Sequence, residues 1–369
     1  MIQTVSLSDI CTKITSGGTP LTKRDDYYGG GIPWLRTQEV NFGNIYSTEK
    51  TITELGLKNS SAKIIPEDSV IVAMYGATAG RSAINKIPLA TNQACCNLII
   101  DNNKADYRFV YYYLVNSYEK LLSAAVGAAQ QNLGSKQISA MTINLPPLYQ
   151  QKKIADILSS LDEKIELNRR MNETLEQLGQ TLFRHYFVDK AKQSNGNIQT
   201  IPLGKKFHPK RGRSLQARDM ICGDTPVISG GLKSAGFHNE ANTTAPVITI
   251  SASGANAGFV SVWGEPVWSA DSSYIDSTIT KYVYTYYLFL KNKQKEIYDM
   301  QTGSGQPHIY PKHIELLEIV DLSDCEFDDF EQMVRPLFDM IHENKKQIDY
   351  LSKIRDLLLP KLISGEIKI

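Results

Sequence analysis

The chain has 369 residues, 42% apolar and 21% charged, with a formal net charge of +1. That composition fits a globular protein of two or three domains and excludes a disordered, collagen-like or disulfide-scaffold class. No run approaches ~18 consecutive apolar residues, and the opening MIQTVSLSDI has no basic region followed by an apolar stretch, so neither a membrane span nor a secretory leader is expected. Cys11, Cys95, Cys96, Cys222 and Cys325 contain no C-x-x-C pair and read as reduced thiols of a cytoplasmic protein.

In chain order, residues 1–149 are rich in Gly, Ser, Thr, Tyr and short β-branched runs. Val70 to Met74 predicts a buried strand, and 108–125 is the best helical stretch of this part. Pro146-Pro147 precedes a long helical pattern over 150–187, where a helix can begin but not continue through. A polar linker, KAKQSNG, spans 190–196. The second part repeats the order: a strand at Val247 to Ile250, a helical stretch over 281–300, then a long helix over 327–359 closed by Pro360. The expected domains are therefore 1–149, the helix 150–189, 190–325, and the helix with its tail 326–369.

The order repeats because the sequence does. Gly127-Ala-Ala-Gln130 lines up with Gly303-Ser-Gly-Gln306, Lys136 with Lys312, Ile138 with Ile314, and Asn168-Arg-Arg170 with Asn344-Lys-Lys346. Gly76-Ala-Thr-Ala-Gly80 matches Gly254-Ala-Asn-Ala-Gly258, and Phe109 to Leu114 resembles Tyr282 to Leu288. A nearly constant offset across separate matches marks a duplication into two complete units rather than a solenoid.

The long helices carry one seam in one phase. The first has Ile154, Leu158, Leu161, Ile165, Asn168, Asn172, Leu175, Gly179 and Leu182 at alternating steps of four and three. The equivalent positions in the second are Phe330, Val334, Leu337, Ile341, Asn344, Ile348, Leu351, Arg355 and Leu358. Two such stripes bury each other most simply as an antiparallel pair with approximate two-fold symmetry. Asn168 and Asn344 sit at equivalent points, where two buried amides can satisfy one another and fix register at some loss of stability. A helix over 150–187 is about 57 Å long, against ~34 Å per turn of B-DNA, so such a rod suits holding two DNA readers apart. A plain dimerisation stalk, or helices packed on their own domains, remain the alternatives.

The small net charge hides a local basic run. From Lys190 to Arg218 there are eight basic residues and no acidic one, interrupted by Gly and Ser as in a loop. Lys205, Lys206, Lys210, Arg211 and Arg213 within it suit phosphate contact. In the first unit the candidates are Lys23, Arg24, Arg36, Thr37 and Arg81, with Gln130, Gln131 and Lys136 in and after the glycine loop. Gln306, His308 and Lys312 are their counterparts in the second. Arg reads guanine, and Gln or Asn reads adenine, through paired hydrogen bonds at base edges.

Catalytic patterns fail together. Asn144 to Tyr149 has the outline of an N-P-P-Y loop broken by Leu145, and Gly303-Ser-Gly305 lacks the strand–turn–helix setting of a dinucleotide site. Glu343-Asn-Lys345 and Glu366-Ile-Lys368 show E-x-K, but the first lies on the seam helix. The six histidines show no paired metal spacing, and neither G-x-S-x-G nor a P-loop lysine occurs. No catalytic residue and no metal site is assigned.

Over essentially its whole length the chain resembles the specificity (S) subunits of Type I restriction–modification systems. LPPLYQQKKIADILSSLDEKI at 145–165 is similar to that family's central spacer, IPWLRT at 32–37 and WSADS at 268–272 to segments of its target recognition domains, and LISGE at 362–366 to its C-terminal ending. The second spacer departs from the pattern, since CEFDDF at 325–330 lacks the proline–glutamine start of the first. The resemblance implies an α+β fold: two similar target recognition domains, each a mixed β-sheet with short helices, separated by two long helices in an antiparallel coiled coil with pseudo-two-fold symmetry. It implies a non-enzymatic chain that binds double-stranded DNA, each domain reading half of a split site while the helices set the gap and dock two methyltransferase (M) subunits. S-adenosylmethionine is then expected on M, and ATP with Mg on the restriction (R) subunits; this chain itself needs no cofactor. The rival readings are a single-chain DNA methyltransferase or nuclease with unrecognised motifs, and a coiled-coil scaffold that binds no DNA.

Overall fold

A computed structural model describes residues 2–124, 132–189, 199–303 and 305–369. The chain falls into two compact units, one of Met1–Glu166 with Asp349–Ile369 and one of Leu167–Ile348. Both long helices pass through that division: Leu148–Phe183, continued by a π-helical turn Arg184–Asp189, and Asp324–Ser364. Each unit thus owns part of each helix, because each half-seam is buried in its own unit's core. The linker at 190–196 and the glycine loop at 127–130 lie outside the described residues.

Unit one is built on a five-stranded sheet in the order Cys11–Ser16, Cys95–Ile100, Val70–Ala73, Ser82–Asn85 and Asn44–Ile45. Its central strand Val70–Ala73 is buried along its whole length, as its unbroken apolar run requires. A second sheet orders Lys50–Ile52, Tyr28–Leu35, Leu89–Thr91 and Ile64–Ile65, and a two-stranded ribbon pairs Gln3–Ser6 with Thr142–Leu145. The stretch expected as one helix over 108–125 is two, Tyr107–Asn116 and Tyr118–Ala124, separated at Ser117. Phe109, Val110 and Leu114 of the first pack with Ile154, Leu158, Leu359, Leu362 and Ile363 of the long helices. That packing corrects the expected stop at Pro360. The second long helix runs on to Ser364 because its last turn buries Leu362 and Ile363 and so outweighs the single hydrogen bond a proline removes. Arg355, a cation at a seam position, reaches Asp162 at 2.8 Å, and Tyr112 Oη donates to the same carboxylate at 2.8 Å.

Unit two repeats the plan. Its four-stranded sheet orders Lys210–Arg211, Ser272–Asp276, Val247–Ser251 and Val260–Trp263, matching the first four strands of unit one's large sheet. The smaller sheet is Gly236–His238, Thr225–Ile228 and Trp268–Ser269, and the ribbon pairs Thr200–Pro202 with Glu318–Val320. The basic run is therefore only partly loop: it contributes two short strands to these sheets. The stretch over 281–300 is again two helices, Val283–Asn292 and Gln294–Asp299. Phe183 and Phe187 of the first long helix stack at 4.6 Å, and Phe330 of the second packs edge-on against both. The amides do not meet as expected. Asn344 Nδ2 donates to Asn172 Oδ1 at 2.9 Å and Asn168 Nδ2 to Gln347 Oε1 at 3.1 Å, because antiparallel pairing sets each Asn opposite a residue one turn from its counterpart.

His342 of the second long helix is buried against Gly264, where an added Cβ would lie 2.2 Å from the imidazole Cγ. Among the described residues its Nε2 has no hydrogen-bond partner. Burial, helped by Lys345 and Lys346, pushes the imidazole down to about 4. The folded state then binds the proton less well than the unfolded one. Stability from keeping His342 neutral is full above about pH 6.5 and is lost as pH falls toward 4, about 3 kcal/mol in all. Chemical denaturation at pH 7 and pH 4.5 is expected to show an acid loss that His342→Leu largely removes; equal losses in both proteins would refute the buried neutral histidine. Among the described residues no helix is long and apolar enough to cross a membrane.

Candidate nucleic-acid interface

Each unit brings three segments together at one end of its large sheet, by the same hydrogen bonds. In unit one, strand Val70–Ala73 leads toward the turn Gly76–Gly80, whose terminal glycines adopt φ of 86° and 79°. Ala73 N donates to Arg81 O and Gly80 N to Ala73 O, both at 2.9 Å. In unit two the turn Gly254–Gly258 has φ of 81° and 88° at its ends, Ser251 N donates to Phe259 O at 3.0 Å, and Gly258 N to Ser251 O at 2.8 Å. Only glycine adopts such angles without strain, which is why G-A-x-A-G recurs.

The second segment follows the glycine loop. Leu133 N donates to Met74 O at 2.8 Å and Ile309 N to Ala252 O at 2.9 Å. Bridges pair Tyr75 with Asn132 and Ser253 with His308. The third is the chain after the sheet's edge strand: Gly18 N donates to Thr91 O, and Arg213 N to Ser269 O, at 2.9 Å each. The repeated sequence thus folds to a repeated frame, with different side chains mounted on it.

The candidate residues divide by what already holds them. Arg24 is clamped by both oxygens of Asp26, at 2.8 and 2.7 Å, and lies over the Tyr27 ring. Arg36 is bonded to Glu49 and lies 3.8 Å from Glu39. Lys206 reaches Asp321 at 2.9 Å, and Arg211 reaches Asp271 at 3.0 Å. Thr37 lends its carbonyl to the Thr78 hydroxyl at 2.7 Å, which ties the Arg36 loop to the glycine turn. Arg81 bonds Asn41 and lies 6.0 Å from the centre of the Phe42 ring; Phe42 itself has a φ of 62°, unusual for a bulky residue. Lys23, Lys136, Lys205, Lys210, Arg213 and Lys312 are exposed and form no ion pair among the described residues. Gln306 is exposed, and His308 stacks on Tyr310. Gln130 and Gln131 lie outside the described residues.

The frame thus gathers Thr37, Arg81, Arg211, Arg213 and His308 around the turns. Lys136 and Lys312 stand on the short helices Ser135–Ala140 and Pro311–Glu315 that follow the loops, and Lys205 and Lys206 lie at a separate 3₁₀ turn, Leu203–Lys205, and just after it. Asn41, Gln93 and Ser253 are not singled out by the sequence, and Asp271 appears there only within the WSADS segment. Along the seam, Ile154, Leu158, Ile165, Asn168, Val334, Ile341 and Asn344 are buried, while Leu161, Leu175, Leu182, Leu337, Leu351 and Leu358 are half-buried.

Among the described residues no group of three or more His, Cys, Asp or Glu could hold a metal ion. Burial pushes the Cys11 and Cys96 thiols up to about 12, which leaves them protonated and inert.

Residues 2–177 match the family model described as Type I restriction modification DNA specificity domain. The Type I restriction enzyme MjaIX specificity subunit of Methanocaldococcus jannaschii is 28% identical, covering 97% of this chain and 91% of its own. The HindI specificity subunit of Haemophilus influenzae is 25% identical over 70% of this chain and 77% of its own. In fold, the chain is similar to the crystal structure of a Type I restriction–modification system S subunit from M. genitalium, at a TM-score of 0.67 and 21% identity, covering 98% and 96% of the two chains.

Proposed function

This chain belongs to the specificity subunits of Type I restriction–modification systems, and we propose on that footing that each of its units reads one half of a split DNA site while the paired helices set the unread gap. The observation that carries the reading is the repeated frame of glycine turn, loop and edge segment. It sits at the same sheet end in both units and carries different polar groups in each.

The division of labour follows from the side chains. Exposed cations that form no ion pair among the described residues, Lys23, Lys136, Lys205, Lys210, Arg213 and Lys312, hold phosphate and fix orientation, without reading sequence. Groups held at the frame, Thr37, Arg81, Arg211 and His308, with the exposed Gln306 beside them in the chain, face base edges in the major groove. Arg24, Arg36 and Lys206 are already neutralised by carboxylates and serve the loops that carry them. Gln130 and Gln131 belong with the base readers by their place after Gly127.

The readers correspond to 1–149 and 190–325, and the spacers to 150–189 and 326–369. The chain performs no chemistry: two M subunits docked on the helices bring S-adenosylmethionine and methylate the half-sites, and R subunits bring ATP, Mg and cleavage. Such a complex works on chromosomal DNA in the cytoplasm.

Exchange of 1–149 for the corresponding domain of another family member tests this reading. In complex with M, adenine methylation across a sequence library is expected to change in one half-site only, with the other half and the gap kept. A change in both halves would refute two independent readers.

A further inference from the structure

The two frames differ at one corner. Ala270 N donates to Ile228 O at 2.8 Å in unit two, as Asn92 N does to Leu35 O at 2.9 Å in unit one, so Asp271 occupies the place of Gln93. Asp271 is held on both oxygens: Arg211 Nη2 donates to Oδ1 at 3.0 Å, and the Ser253 hydroxyl donates to Oδ2. Ser253 is itself bridged to His308. Gln93 is held differently: the Thr19 hydroxyl donates to its Oε1, and Tyr75 Oη donates to its backbone carbonyl at 3.1 Å.

The Arg211–Asp271 pair is 43% and 35% exposed. Such a surface pair adds little to stability. It is also a poor phosphate contact, because its charge is cancelled, whereas Lys210 and Arg213 on either side form no ion pair among the described residues. What it retains is direction. Arg211 spends one Nη2 hydrogen on Asp271 and keeps the other, with Nη1 and Nε, as a fork of parallel donors, and the Asp271 oxygens keep lone pairs to accept. A guanine presents two acceptors in the major groove, and its cytosine one amino donor. We propose that Arg211 and Asp271 together read one G·C pair, Arg211 on guanine O6 and N7 and Asp271 on the cytosine amino group. At the same corner of unit one, the Gln93 amide reads adenine. This inference rests on the split-site reading and adds the base composition of each half.

Adenine methylation by the full complex, read over a randomised library, tests it with Asp271→Asn, Arg211→Lys and Gln93→Ala. Asn keeps the shape of Asp, and Lys keeps the charge of Arg but loses its fork. Asp271→Asn and Arg211→Lys are expected to lose discrimination on the order of ten- to a hundredfold at one and the same G·C position of one half-site. Gln93→Ala is expected to relax one A·T position in the other half only. Uniformly weaker methylation with an unchanged motif, or changes at unrelated positions, would overturn the inference while leaving the split site standing. Absence of any split site with the wild-type chain would overturn the functional reading, and this inference with it.

Discussion

Replacing Phe330 by alanine is expected to lower stability by about 3–5 kcal/mol, the range for an aromatic ring deleted from a packed core. Phe330 is 2% exposed. It meets Phe187 edge-on at 4.9 Å and Phe183 at 6.0 Å, with Tyr186 at 5.7 Å. These partners belong to the end of the first long helix, and Phe330 to the start of the second. The ring therefore joins the two helices inside unit two, and no neighbour can fill its place without breaking its own stack. Met333, one turn on and 40% exposed, supplies the control. Met333→Ala should stay within about 0.5 kcal/mol, as surface changes do. Denaturant midpoints of both variants check the contrast; equal small losses would show that the aromatic cluster does not hold the helices.

Much of this architecture was legible because it rests on periodicity, which one sequence displays. The seam from Ile154 to Leu182 and its copy from Phe330 to Leu358 needed only counting, and the strands at Val70 and Val247 only an unbroken apolar run. The glycine turns were visible as a repeated G-A-x-A-G, and the structure supplies the reason in four left-handed glycines.

Features that depend on long-range partners were not legible. Pro360 reads locally as a stop, yet the burial of Leu362 and Ile363 carries the helix past it. Asn168 and Asn344 are equivalent in sequence, but antiparallel pairing gives them different partners. Arg24 and Arg36 read as free cations until their carboxylates are seen. Asp271 carries no signal of its own in sequence; only the fold sets Arg211 and Ser253 beside it. Charge in sequence marks a basic segment; only geometry tells a neutralised arginine from an available one.

If the paired helices act as a ruler, changing their length changes the gap. The two seams share one phase, so seven residues added to each helix, after Glu166 and after Ile348, keep apolar positions facing one another. A heptad adds about 10.5 Å along a helix, close to three base pairs of B-DNA at ~3.4 Å each. Four residues added within 160–180, about one helical turn, should lengthen the gap or disrupt the pair. The deciding measurement is adenine methylation by the complex carrying the matched heptads. Both half-sequences should stay unchanged and the gap between them should lengthen by about three base pairs; the original gap, with methylation intact, would rule out a helical ruler.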